Sequence, residues 1–260
     1  MRPVSSPLLS AARAELLANG VVGPHRSHTR SNNIAKIRSL VDGDSGSSFG
    51  LSGMTRYSVE EVLSFLSELT GCSTNVAHLA GEDTLDPDLT VAAIARAADR
   101  LADAAGRGAT LFAGTGHPTG LLEHHMRVVD AYRRAGGKVV CPREEEKWAF
   151  GRGRAEVRYV GGVGCLAEGA SLRHTHSAGP MEAMLDAEPW PEIVLGDHGF
   201  AGAAVEQGIP TIAVMDINDP ALAVAVAEGR DLIVLPMDDN RPPRMYRPSW
   251  RLFEDTLARL

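Results

Sequence analysis

Between residues 109 and 236 the chain alternates short apolar runs with helix-patterned segments, most of which stop at glycine. The run ATLFA (109–113) leads through a Gly-rich turn into an amphipathic helix from Leu121 to Ala135, ended by Gly136-Gly137. KVVC (138–141) is the next strand, and EVRYV (156–160) with VGCLAE (163–168) form a hairpin pattern across Gly161-Gly162. A short helix over 181–187 precedes IVLG (193–196). A helix over 201–207 stops at Gly208 before TIAVM (211–215), and a helix over 219–228 stops at Gly229 before LIVLP (232–236). This rhythm predicts an α/β fold, a Rossmann-like and mostly parallel sheet with helices on both faces. Aromatic residues make up only 5% of the chain, which suits helices on a small-residue sheet better than an aromatic-rich sandwich. Ligands of such sheets sit outside the carboxyl ends of the strands, so that edge is where chemistry is expected.

The preceding stretch is helical in pattern. PLLSAARAELLA (7–18) is a short amphipathic helix closed by Asn19-Gly20, and a polar segment (23–33) runs into a helix over 33–41. Ser58-Val-Glu-Glu61 has capping-box spacing ahead of Val62, Leu63, Leu66 and Leu69. Asp86-Pro87-Asp88 starts an Ala- and Arg-rich helix over 88–105, which could pack against a copy of itself in a homo-oligomer. The Gly/Ser-rich stretch 42–53 reads as the most mobile loop. The expected organisation is a helical N-terminal region or cap, 1–105, and an α/β core, 106–260.

Charge and cysteine use narrow the partners. A net charge of −7 gives no general attraction for phosphate backbones, so no nucleic-acid partner is expected. No apolar run approaches the roughly 20 residues of a bilayer crossing, so no membrane partner is expected. The first residues, with Arg2, Arg13 and Glu15 around a short apolar patch, lack a signal-peptide core. Cys72, Cys141 and Cys165 are too few for a disulfide framework, and reduced thiols in a cytoplasmic protein are expected.

Four strand ends carry polar clusters: Gly114-Thr-Gly-His-Pro-Thr-Gly120, His174-Thr-His-Ser177, Asp197-His-Gly199, and Asp216-Ile-Asn-Asp-Pro220. The first enters a helix, where free amides could hold a phosphate or another small anion. Thr119 replaces the third glycine of a dinucleotide fingerprint and no Gly-Lys-Ser/Thr is present, so no nucleotide cofactor is expected. Cys141 lacks the arginine of a cysteine-phosphatase loop, Asp216–Asp219 lacks the paired aspartates of a haloacid-dehalogenase loop, and there is no Gly-x-Ser-x-Gly. His174-Thr-His-Ser177 resembles the opening motif of the PHP phosphoesterases, but it stands late in the chain, which makes that similarity local.

His174 and His176 project to one side of an extended segment, near Asp197, His198 and Asp216 in the expected order of strands. Such a cluster suits a divalent metal ion, Mg²⁺ or similar, held by Asp197, Asp216 and His176. Read alone, His117 or His198 is as readily a satisfied polar residue, and Asp219-Pro220 doubles as an ordinary helix start. His124 and His125 read as a solvated helix face, and His25 and His28 have no assignable place.

Several motifs recur in one order in a family of actinobacterial proteins known simply as phosphatases, of about this length, and the chain resembles that family. They are Arg30-Ser-Asn-Asn33, Asp83-Thr-Leu-Asp-Pro87, Gly114-Thr-Gly-His-Pro118, Tyr159-Val-Gly-Gly-Val163, Arg173-His-Thr-His-Ser177, Asp197-His-Gly199, Asn218-Asp-Pro220 and Pro236-Met-Asp-Asp239. The resemblance implies a phosphomonoester phosphatase acting on a small phosphorylated metabolite. On this reading Gly114, Thr115 and Gly116 cradle the phosphate, Arg30 or Arg173 clamps it, and Asn32 and Asn33 orient the substrate. His117 or His198 protonates the leaving oxygen, while Asp197, His176 and Asp216 hold the metal or position water. A non-catalytic binder of an anionic metabolite, or a transferase or isomerase with the same anion turn, stays open. Aspartates and imidazoles at several strand ends favour catalysis.

Overall fold

The computed structural model describes residues 7–144, 146–150 and 153–260; Arg2 of the N-terminal patch lies outside them. The first part runs α1 (Pro7–Ala18), β1 (Gly23–Pro24), α2 (Arg30–Val41), α3 (Ser45–Ser48), α4 (Val59–Thr70), β2 (Thr84–Leu85) and α5 (Pro87–Gly106). The second continues with β3 (Thr110–Thr115), α6 (Pro118–Arg134), β4 (Lys138–Val139), β5 (Lys147–Phe150), β6 (Gly153–Val160), β7 (Val163–Glu168) and β8 (Ser171–Leu172). It closes with α7 (Gly179–Leu185), β9 (Ile193–Asp197), α8 (His198–Glu206), β10 (Thr211–Met215), α9 (Pro220–Ala227), β11 (Leu232–Pro236) and α10 (Arg247–Leu257).

The main sheet has the order β11-β10-β9-β3-β7-β6-β5, with β4 on β3 and β8 on β7. The pairs among β11, β10, β9, β3 and β7 are parallel, and β7, β6 and β5 add antiparallel strands. This is the mostly parallel α/β sheet that the sequence pattern predicts. β9 and β10 are buried along their whole length, because helices cover both faces. Alternation splits the side chains: Leu111, Ala113, Ile193 and Leu195 enter the larger core cluster, and Phe112 and Val194 the smaller. α5, α6 and α10 pack together, while α8 and α9 follow the crossovers from β9 to β11. The hairpin turn is Gly161-Gly162, with φ 60° and 86°, the left-handed values a two-residue turn requires.

The helical elements of the first part follow from local chemistry. The capping box forms as expected: Ser58 Oγ accepts from Glu61 N, and Glu61 Oε2 accepts from Ser58 N at 2.8 Å. Such a cap contributes about 1 kcal/mol. α5 buries Val91, Ile94, Ala97, Ala98 and Leu101, and each fully buried Ile or Leu contributes about 1.5–3 kcal/mol. One buried cluster runs from Leu16, Ile34 and Leu63 to Val214 and Phe253, so residues 1–105 and 106–260 share apolar packing.

One expectation changes. The stretch 42–53 is not a free loop: it holds α3, and Phe49, Leu51 and Ser47 are buried. Gly202 leaves room for it, since a Cβ there would stand 2.1 Å from Phe49 O. Beyond the alternating pattern, α10 places Trp250, Leu252, Phe253 and Leu257 against α5 and α6. No helix among the described residues is long and apolar enough to cross a membrane.

Candidate active site

The carboxyl ends of β3, β9, β10 and β11 frame a cleft of about 220 Å³ lined by histidine, asparagine, Lys36 and Asp239. His174 and His176 reach it because the chain after β8 lies almost on the strand ends. Two glycines permit that approach. A Cβ on Gly116 would meet Thr175 O at 2.2 Å, and a Cβ on Gly199 would meet Ser177 O at 2.0 Å. Thr175 N donates to Gly116 O at 2.9 Å and fixes the segment.

Asp197 closes β9 and is buried. Its Oδ1 accepts from Gly116 N at 2.7 Å and from His198 Nδ1 at 2.8 Å, and its Oδ2 lies 3.3 Å from His125 Nε2. Because an ionised carboxylate only accepts, the His198 proton sits on Nδ1 and Nε2 points into the cluster. His198 has φ 45°, a left-handed conformation that is strained for a residue with a Cβ and turns the ring inward. Burial works against the charge on Asp197, yet His125 and His198 hold its carboxyl well below the usual range. Burial likewise opposes charge on His198, and Asp219 and Asp197 still raise it to about 10, so without a cation Nε2 carries a second proton facing these aspartates, which a metal bound there would displace.

Around His198 Nε2 stand Asp239 Oδ2 at 3.4 Å and Asp219 Oδ2 at 3.8 Å, with His117 Nδ1 3.1 Å from the same Asp239 oxygen. The His117–Asp239 pair is close but not aligned for a hydrogen bond, which leaves His117 Nδ1 without a partner in the interior. Atoms bound at about 2.1 Å to one ion sit about 3.0–3.5 Å apart, a separation these contacts match or slightly exceed. His117, His174 and His198, and equally His198, Asp219 and Asp239, are groups whose ligand atoms lie close enough for one metal ion.

Charge balance points the same way. Asp197, Asp216, Asp219, Asp238 and Asp239 are all buried at this edge. Packed together out of water, these carboxylates ionise fully only if cationic partners offset them, so a divalent cation suits the cluster. Burial and the charge of Asp239 push Asp216 and Asp219 upward, whereas His117 and His198 hold Asp239 down against its burial. Further out, His174 and His176 are driven down by burial and by neighbouring histidines, His176 to about 4, so both rings are neutral near pH 7. His176 Nδ1 faces Gly46 O at 3.3 Å, and its ring stacks on His198 at 4.7 Å.

Of the residues picked from sequence, His117, Asp197, His198, His176, Asp216 and Asn32 gather at this edge. The others do not reach it in the roles expected. Arg30 is buried and donates to Asp83 Oδ1 and to the carbonyls of Ser73, Asn75 and His78, so it pins the segment before β2 rather than clamping a phosphate. Asn33 donates to the same Asp83. Arg173 is exposed and faces Glu168 at 3.3 Å. The Gly-rich turn is not an open cradle, because Gly116 N is engaged by Asp197 and His117 N by Thr115 Oγ1. Gly114 is a packing glycine, with Phe112 and Phe200 rings where a Cβ would stand.

Several residues were missed. Asp239 and Asp238 follow β11 within the motif Pro236-Met-Asp-Asp239, an acidic pair after an apolar strand that deserved the same weight as Asp197. Asp219 starts α9 but makes no cap bond; its Oδ2 accepts from Asp216 N at 3.1 Å and faces the cluster. His124 and His125 are wholly buried rather than solvated, and their spacing from Leu121, Val128 and Val129 was the available sign. His124 Nε2 pairs with Ser249 Oγ at 2.9 Å and its Nδ1 with His125 Nδ1 at 3.0 Å, which links α10 to Asp197 through α6. His25 contacts Asp216 although 191 positions separate them.

Comparison with known proteins adds the family. A family model described as Phosphatase matches residues 9–256. A protein of Streptomyces coelicolor named as a phosphatase is 37% identical over 253 residues, covering 95% of each chain.

Proposed function

The chain belongs to the phosphatase family, and from that premise we propose that it hydrolyses a small phosphomonoester at the cleft beside His198 with a divalent cation. The observation that carries this reading is the convergence of Asp219 and Asp239 on His198 Nε2, with His117 against the same Asp239 oxygen, at the carboxyl edge of the sheet. A cation bound there would neutralise phosphate oxygens and lower the pKa of water. The protein's own groups supply the rest. Asp197 fixes the ring of His198 and keeps Nε2 toward the cluster, with Gly116 N and His125 holding the carboxylate in place.

Asn32, Lys36, Asn218 and Asn240 line the cleft and offer donors to a phosphate, the role first expected of Arg30 and the Gly-rich turn. Burial works against charge on His117, and Asp239 outweighs it and holds the ring above its ordinary pKa, favouring the protonated form. That suits it to donate to the leaving oxygen, whereas neutral His174 and His176 are suited to accept a proton from water. The small cleft favours small substrates. Release of inorganic phosphate from a panel of sugar, amino-alcohol and nucleoside monophosphates tests the assignment. Turnover of one or more small members is expected; no release from any of them, with and without Mg²⁺ or Mn²⁺, would remove it.

A further inference from the structure

Two loops supply the carboxylates at this edge, and each divides them in the same way. The loop after β10 carries Asp216 and Asp219, and that after β11 carries Asp238 and Asp239. Asp219 and Asp239 join His198 in one group, whereas Asp216 and Asp238 join His25 in another, with one ligand atom of each residue within 4.8 Å of the others. The Asp216 N to Asp219 Oδ2 bond of 3.1 Å sets the groups side by side. We propose that the protein holds a second divalent cation at His25, His28, Asp216 and Asp238, next to that at His198, as a binuclear centre. The proposal rests on the metal-assisted reading above and extends it.

Asp216 is the independent sign. It is fully buried; its Oδ1 accepts from His25 Nε2 and from Ile217 N, each at 2.5 Å, but its Oδ2 has no hydrogen-bond partner. An oxygen left without a donor in the interior is disfavoured until water, a proton or a cation completes it, and the imidazoles of His25 and His28 beside it suit a cation. His28 Nε2 stands 3.8 Å from that oxygen, on a ring stacked at 5.5 Å on His25 and lining the cleft. His28 is therefore the side chain through which the site meets solvent.

His25 can serve as a ligand without losing its support. Its Nδ1 lies 3.0 Å from the His28 amide N–H and 3.2 Å from His28 O, so either neutral tautomer is satisfied by the backbone. With the proton on Nδ1 and donated to His28 O, Nε2 becomes a free lone pair directed at Asp216 and at Asp238 Oδ2, 3.9 Å away. Asp238 is itself fixed: Ser27 Oγ donates to its Oδ1 at 2.6 Å and Arg26 N to its Oδ2 at 3.1 Å. Two ions about 3.5–4 Å apart form the arrangement that clamps both the attacking and leaving oxygens of a phosphoryl transfer.

Manganese(II) alone is the probe. Chelator-stripped protein is titrated with Mn²⁺, bound metal is counted per chain, and the electron paramagnetic resonance spectrum of the loaded protein is recorded. Two Mn²⁺ per chain with an exchange-coupled spectrum are expected for the unaltered protein. Asp216→Asn should bind one, with an uncoupled six-line signal. His28→Gln, at a partly exposed position less tied to folding, should weaken the second ion by about ten-fold or more. Circular dichroism of each variant separates loss of a site from loss of the fold. One Mn²⁺ or none in the unaltered protein, or two in Asp216→Asn, would overturn the second site. A chain that binds one ion and still releases phosphate discards the second site alone. Two coupled ions without phosphate release from any ester support the centre and discard the substrate reading.

Discussion

The two edges of the sheet carry similar numbers of charged side chains and treat them in opposite ways. At the amino edge, Arg96, Asp99, Arg100, Asp103, Arg107, Glu192 and Asp231 line a groove of about 510 Å³, more than twice the size of the cleft at the carboxyl edge. Its Arg100–Asp231 pair stands in water, with side chains 35% and 53% exposed. At the carboxyl edge five aspartates are buried, and Asp197 Oδ2 and Asp216 Oδ2 have no hydrogen-bond partner. Exposed pairs contribute little, whereas buried carboxyls need a proton, a histidine partner or a cation to offset their charge. On the reading proposed above, uncompensated burial rather than cavity size marks the site.

Substitutions should separate the edges, beginning with the largest effect. Asp239→Asn removes the carboxylate shared by His117 and His198, and kcat should fall on the order of a thousand-fold with the fold retained by circular dichroism. Near-normal kcat would mean that the carboxyl edge is no more chemical than the amino edge.

Asp197→Asn acts through His198, and a loss of about ten- to a hundred-fold is expected. The same carboxylate adds an acid limb to stability. Its folded pKa is depressed, so its contribution is complete above the ordinary aspartate range and is lost as pH falls toward the lower folded value. Stability measured against pH should show that limb in the unaltered protein and a flatter one in Asp197→Asn. Identical curves would contradict the ionised, hydrogen-bonded carboxylate.

Gly116→Ala tests the backbone approach that delivers His174 and His176. A methyl group 2.2 Å from Thr175 O must displace that segment, and a stability loss of about 1–3 kcal/mol with reduced turnover is expected from thermal unfolding and rate measurements. A variant as stable and active as the parent would show that the segment need not lie so close. Arg100→Ala, at the amino edge, should leave kcat unchanged and shift stability by less than about 1 kcal/mol. A large loss of activity there would break the contrast between the edges.

The parts legible from sequence are those written in local chemistry. The Ser58–Glu61 box, the Gly161-Gly162 turn and the glycine stops between β9 and β11 are short-range signals, and each forms as expected. The edge of the sheet was legible too, because an apolar strand followed by Asp or His recurs at 197 and 216. What stayed hidden depends on distant partners. Arg30 looks like a free arginine until Asp83 and three carbonyls close around it. His25 and His28 acquire a place only when the turn before α2 folds over the end of β10. Phe49, in a Gly/Ser-rich stretch that reads as mobile, becomes a fixed edge-on contact for His176 and His198.

The central claim, that buried negative charge at the carboxyl edge marks a metal-assisted phosphatase site, has one most direct measurement. Protein stripped with a chelator, and then supplied with Mg²⁺ or Mn²⁺, is assayed for phosphate release from the ester it turns over. Release should fall to background on stripping and return with the metal, with a rise in Tm on loading. Release that continues at the full rate in stripped, metal-free protein would contradict that claim.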